Sequence, residues 1–95
     1  MERPLRNAKV ETLAPAGEKL TIYDEQHVIT YLRMLDANAE AADWREVCEI
    51  VLHLDPGPDP EHARRVYVSH LARALWMTEH GYRQLLRGGA SNPFL

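Results

Sequence analysis

The sequence predicts a small all-α domain, and three observations carry that prediction. Apolar residues recur at helical spacing in three separate segments. Helix-start chemistry, a capping side chain or a first-turn proline, precedes each of them. Prolines and glycines punctuate the chain before, within and after the helical stretch. The 95 residues suffice for one domain, since a chain of this size buries roughly 60–65% of its unfolded surface.

Residues 1–20 read as a flexible arm. Pro4, Pro15 and Gly17 interrupt it, and Leu5, Val10, Leu13 and Leu20 share no period; a short strand over 10–13 is the alternative. The first helix starts at Thr21 or Asp24, whose short side-chain oxygens satisfy free backbone N–H groups. Asp24 and Glu25 then lie where the helix dipole favours negative charge. The inward stripe is Val28, Leu32, Leu35 and Ala39, widened by Ile29 and Tyr31, and the helix ends near Ala41. Asp43-Trp44-Arg45-Glu46 has the spacing of a capping box with Asp as the cap. It opens a second helix with Trp44, Val47, Cys48 and Val51 inward. The run Asp55-Pro56-Gly57-Pro58-Asp59-Pro60 must break that helix, because proline lacks a backbone donor and restricts its predecessor.

The third helix follows Pro60. Ala63, Val66, Tyr67, His70, Leu71, Ala74, Leu75 and Met77 form its apolar arc. Arg65, Ser69, Ala72 and Trp76 lie opposite, with Arg64 and Arg73 on the flanks. Gly81 predicts a break over 78–81, after which a short C-terminal helix, Tyr82–Arg87, buries Leu85 and Leu86 and stops at Gly88-Gly89. Residues 90–95 read as a disordered tail, which leaves 21–89 as the folded regulatory domain. The predicted core is Val28, Leu32, Leu35, Val47, Val51, Val66, Leu71 and Leu75.

Composition excludes several classes. Apolar runs such as Ile50-Val51-Leu52 fall far short of the ~20 residues of a membrane helix. Met1–Arg6 has no apolar region of the secretory kind. Cys48 is the one cysteine, so no disulfide framework or Cys-rich zinc site is expected, and it reads as a small buried hydrophobe. His27, His53, His62, His70 and His80 show no metal-ligand spacing, and no glycine-rich phosphate loop is present. The expectation is a protein that is not an enzyme, with no cofactor, no metal, no small-molecule ligand and no membrane contact, in a bacterial-type cytoplasm.

Charge is unevenly spread. The net charge is −3, but residues 21–59 carry two arginines against nine acidic side chains, −7, while residues 60–95 carry five arginines against two, +3. That balance opposes a surface lying wholly on nucleic acid and leaves room for one basic face. Short helix, short helix, turn and longer helix is an order shared by helix-turn-helix units and by plain helical domains, and the 55–60 connection is longer than the usual turn of about three or four residues. On the third helix Arg64, Arg65, Ser69 and Arg73 form the face that would hold phosphates or base edges, the alternative being a solvated helix face. Trp76 shares that polar arc. Either the last helix folds over it with Tyr82 or Leu85, or it belongs to a partner-binding patch.

Four segments resemble a known family: Tyr23-Asp24-Glu25-Gln26-His27 leading into Tyr31-Leu32-Arg33; Asp43-Trp44-Arg45-Glu46-Val47; Ser69-His70-Leu71-Ala72-Arg73-Ala74; and Trp76-Met77-Thr78-Glu79-His80-Gly81-Tyr82-Arg83 with Leu85-Leu86. Together, over about residues 21–89, they resemble a proteobacterial family of conjugative-element transfer regulators, the FseA/RovC-type DNA-binding domain. The resemblance implies a helix-turn-helix-like fold with an extended turn. It also implies a basic face for DNA and, in two-part activators, a second face docked on a separate N-terminal domain. A short, acidic chain is most similar to the family's stand-alone antiactivators of the QseM type. The resemblance therefore implies that the partner is a transcriptional activator protein of mobile-element transfer. The chain would mimic that activator's own domain, with DNA binding weak or absent. The alternative it leaves is a small DNA-binding transcriptional regulator using the third helix. Tyr23, His27, Tyr31, Trp76, Tyr82 and Arg83 match the family segments and are of types that carry interface energy, which makes them the implied partner-binding set.

Overall fold

The computed structural model describes residues 9–87, and every described element is helical. Thr21 opens the first helix through a capping box: its hydroxyl accepts from the Asp24 N–H, and the Asp24 carboxylate accepts from the Thr21 N–H at 2.9 Å. Helix α1 (Ile22–Gln26) then stops at His27, and α2 (Val28–Ala39) resumes at once. The single helix predicted from Thr21 to Ala41 is therefore two. The His27 N–H is shared between the carbonyls of Tyr23 and Asp24, which tightens the turn and carries His27 out of helical geometry.

The inward face of α2 differs from the predicted stripe. Thr30, Tyr31 and Met34 are buried; Val28 and Leu35 are half-buried, Leu32 is 48% exposed and Ala39 is exposed. The helical period is as read, but its phase is turned by one residue, about 100°. A polar contact accompanies this phase: the buried Tyr31 hydroxyl donates to Asp24 at 2.8 Å.

Helix α3 (Trp44–Ile50) buries Val47 and Cys48. Asp43 occupies the cap position but makes no side-chain cap bond, so the box predicted with Glu46 is not formed. Both members of that pair are carboxylates, which repel where a Ser or Thr cap would not. The connection turns on His53, at φ 54, and on Asp55, which accepts from the Gly57 N–H at 2.8 Å. Helix α4 (Pro60–Trp76) starts with Pro60 in its first turn and with Asp59 accepting from the His62 N–H.

The break predicted over 78–81 is absent. Met77–Gly81 forms a π-helical turn that runs without interruption into α5 (Tyr82–Leu86). Gly81 keeps helical angles; its role is room, since a Cβ there would collide with Met77 Sδ and lie 2.7 Å from Trp76 Cζ3. Leu85 is half-buried as expected, but Leu86 is 84% exposed. Gly88-Gly89 and the tail at 90–95 lie outside the described residues.

Two apolar clusters hold the helices. Met34, Val47, Cys48, Leu52, Ala63 and Val66 pack where α2, α3 and the first half of α4 meet. Leu20, Tyr31, Ala74 and Met77 pack where the N-terminal segment, α2 and the end of α4 meet. Of the predicted core, Val47 and Val66 are buried, while Val28, Leu35, Val51 and Leu71 lie at the margins. Leu32 and Leu75, 48% and 45% exposed, are not core residues. Residues 9–20, expected as a free arm, lie against the helices instead, with Ala14 and Leu20 buried.

Candidate functional site

Helix α4 carries the residues that the sequence offers for DNA, and the arm decides which of them are available. Arg73 is not among them: it is 3% exposed. Its guanidinium donates to both carboxylate oxygens of Asp24, at 2.9 and 2.7 Å, and to the carbonyls of Gly17 and Lys19 at 2.5 and 2.8 Å. Burial pushes the Asp24 pKa up. The hydrogen bonds from Arg73, Thr21 and Tyr31 outweigh it, and the carboxyl sits below its usual range. Ser69 is half-buried and taken by the arm: its Oγ accepts from the Ala14 N–H at 3.1 Å. Gln84 completes the stitching by accepting from the Leu20 N–H at 2.8 Å and donating to the Glu18 carbonyl. Arg73 and Ser69 thus leave the predicted face because the backbone of an irregular segment needs partners.

Beside this latch Tyr23 and His70 share a proton path with a defined direction. His70 Nδ1 lies 2.8 Å from the Val66 carbonyl and must donate there. Nε2 then accepts from the Tyr23 hydroxyl at 2.5 Å, and that oxygen accepts from the Glu11 N–H at 3.0 Å. Burial lowers the His70 pKa, in keeping with a neutral ring. His27 stacks on Tyr23 at 3.8 Å, with its two nitrogens facing the carbonyls of Tyr23 and Lys9. Among the described residues no three potential ligands gather as a metal site. Cys48 is buried, its thiol pushed up by burial, and lies far from the charge pattern of a nucleophile.

The implied partner set divides. His27 and Tyr31 are buried and cannot reach a partner, because both serve the junction just described. Tyr23 and Tyr82 are half-buried, and Tyr23 uses its hydroxyl internally. Arg83 is exposed. Trp76 is half-buried, and the Arg73 guanidinium lies over its ring, 3.7 Å from the centroid. Tyr82 and Leu85, expected to cover it, join the same apolar cluster.

After its first two residues, Pro60 and Glu61, α4 shows outward Arg64, Arg65, Val68, Ala72 and Leu75. Two shallow grooves run along it. One is lined by Leu13, Arg64, Arg65, Val68 and Ala72, the other by Leu13, Pro15, Ala16, Ala72 and Trp76. Leu13, 66% exposed, is the ridge between them and was invisible to periodicity because it belongs to no regular element. Arg64 is not a free cation: it lies over the Trp44 ring at 5.1 Å, which Arg45 also approaches at 4.7 Å. Among the described residues no helix is long and apolar enough to cross a membrane.

The chain belongs to the RovC-type family described as a T6SS transcription factor DNA-binding domain, whose profile matches residues 1–87. The matched span includes the arm as well as the helices, in agreement with their packing as one unit. No curated protein matches the chain.

Proposed function

We propose that the chain is an antiactivator. It binds a transcriptional activator of integrative and conjugative element transfer, takes the place of that activator's own domain of the same fold, and so prevents activation. The observation that carries this reading is the outward face of α4. A DNA-reading helix needs hydrogen-bond donors there. Past Arg65 this one shows Val68, Ala72 and Leu75, while Arg73 and Ser69 are engaged by Asp24 and the arm. The net charge of −7 over residues 21–59 adds repulsion toward phosphates. Apolar grooves beside Leu13 and Trp76, with Arg83 exposed on α5, suit a protein surface better. The role requires no catalysis or cofactor.

The mechanism is displacement. A domain tethered within its own activator competes at an effective concentration on the order of millimolar. The antiactivator must therefore bind more tightly, be abundant, or reach the activator before it closes. The test titrates the purified chain into the isolated partner domain of a two-part activator of this family. Binding that excludes the activator's own domain supports the reading. Arg83→Ala should then weaken binding by about 1 kcal/mol with the thermal melt unchanged.

A second reading, a DNA-binding regulator, is favoured by the family and by Arg64 and Arg65 in the first turns of α4, where helix-turn-helix proteins touch bases. Gel shifts separate the two. A sequence-specific shift at physiological salt, without binding to the partner domain, selects the second; Arg65→Ala should then lower the salt slope by about one.

A further inference from the structure

One face of α4 and of the turn beyond it has no neighbour in the described fold. Arg65, Val68, Ala72, Leu75 and Glu79 follow at intervals of three, four, three and four residues, the spacing of a coiled-coil seam. All five are exposed, Val68 by 50% and Leu75 by 45%. Glu79 lies within the π-helical turn that continues α4 and is exposed there. Leu13 widens the apolar strip from the side of the arm.

The charges along this strip are ordered. Arg65 stands at one end with no ion-pair partner among the described residues. Glu79 stands at the other with only His80 near it, at 3.7 Å. Ala72 lies midway, seven residues from each. The order continues outward: Glu61, exposed, precedes Arg65 by four residues, and Arg83, exposed, follows Glu79 by four. Turned end for end, the strip is its own complement, and its small central residue allows two helix axes to approach closely.

We propose that a second copy of this chain docks on this strip, antiparallel, about a two-fold axis at Ala72. Each Arg65 then faces the other copy's Glu79, each Glu61 faces the other copy's Arg83, and Val68 and Leu75 of both chains pack around the paired alanines. Such an interface is isologous and closes at two copies. The inference does not rest on the antiactivator reading. The strip shares Arg65, Val68 and Ala72 with the grooves, and its outer charges include Arg83, so a protein partner and a second copy compete for the chain.

Sedimentation equilibrium on the full chain tests it, at about 0.2 mM protein and about 50 mM salt, where exposed charges are least screened. The expected result is a dimer that dissociates on dilution and at high salt. Arg65→Glu and Glu79→Arg should each weaken association about tenfold by placing like charges together. The double variant should recover to within about threefold of the parent, because the two-fold axis pairs the swapped charges again. Val68→Glu should give a monomer. All these positions are exposed, and unchanged thermal melts verify the fold. A parent that is monomeric at this concentration overturns the proposal. So does a dimer indifferent to the single reversals, or a double variant that fails to recover. None of these outcomes bears on binding to an activator's partner domain, which the titration above reads separately.

Discussion

The two halves of α4 are anchored by different physics. The first half sets Ala63 and Val66 against Met34, Val47, Cys48 and Leu52, a contact of hydrocarbon, one thioether and one thiol. The second half sets His70 and Arg73 against Tyr23, Asp24 and the carbonyls of the arm, with Ala74 and Met77 beside them. Apolar burial has no direction and tolerates a change of shape at constant volume. A desolvated network stabilises only when every member is present, because each partner left behind is a buried, unpaired polar group. The same helix is thus forgiving at one end and unforgiving at the other. The unforgiving end is the one that fastens an irregular segment.

The largest effect should come from the ion pair. Arg73→Met leaves Asp24 buried without its cation and should cost about 3–5 kcal/mol in denaturant unfolding. Adding Asp24→Asn should recover part of that loss, because the amide removes the unpaired charge and keeps an acceptor oxygen for Thr21 or Tyr31. A double variant no better than the single would show that the arm's carbonyls, rather than Asp24, are what Arg73 serves.

Met34→Ala probes the other half. It should cost roughly 2–5 kcal/mol, while Met34→Leu should cost less than about 1.5 kcal/mol. Equal losses for the two would mean that shape matters as strictly in the apolar cluster as in the polar one.

Ser69→Ala removes the acceptor for the Ala14 N–H and should cost about 1 kcal/mol. Faster proteolysis within residues 9–20 than in the parent would tie that loss to the arm.

Acid should find the polar half first. His70 has a folded pKa below its ordinary value, so its contribution is complete above about pH 6.5 and is lost as pH falls through the folded value. Asp24, also lowered, adds a second loss below its ordinary value of 3.8. A melting-temperature profile should therefore show two acid steps, with His70→Gln removing the upper one. A profile flat between pH 7 and 5 in the parent would contradict the buried neutral ring.

The smallest effect belongs to Leu32. Leu32→Ala should change stability by no more than about 0.5 kcal/mol, because the side chain is 48% exposed. A loss of several kilocalories would restore the sequence-predicted phase of α2.

The sequence by itself determined the helical content, a first start at Thr21 or Asp24, the entry through Pro60, the inward Val47 and Val66, and the exposed Arg64 and Arg65. Each of these depends on chemistry within a few residues: a cap, a fixed φ, a period of 3.6. Only the tertiary structure decided the phase of α2, the fate of Arg73 and Ser69, and the continuity through Gly81. Arg73 and Ser69 are taken by partners 49 to 56 residues away, Asp24 and Gly17 for Arg73 and Ala14 for Ser69, while the other two depend on how closely packed side chains meet, Tyr31 on Asp24 and Met77 and Trp76 at Gly81. A helical wheel assigns Arg and Ser to the polar arc by residue type. It cannot register that a segment without regular hydrogen bonds must be satisfied by side chains from elsewhere, and here it draws them from the face that the wheel leaves for DNA.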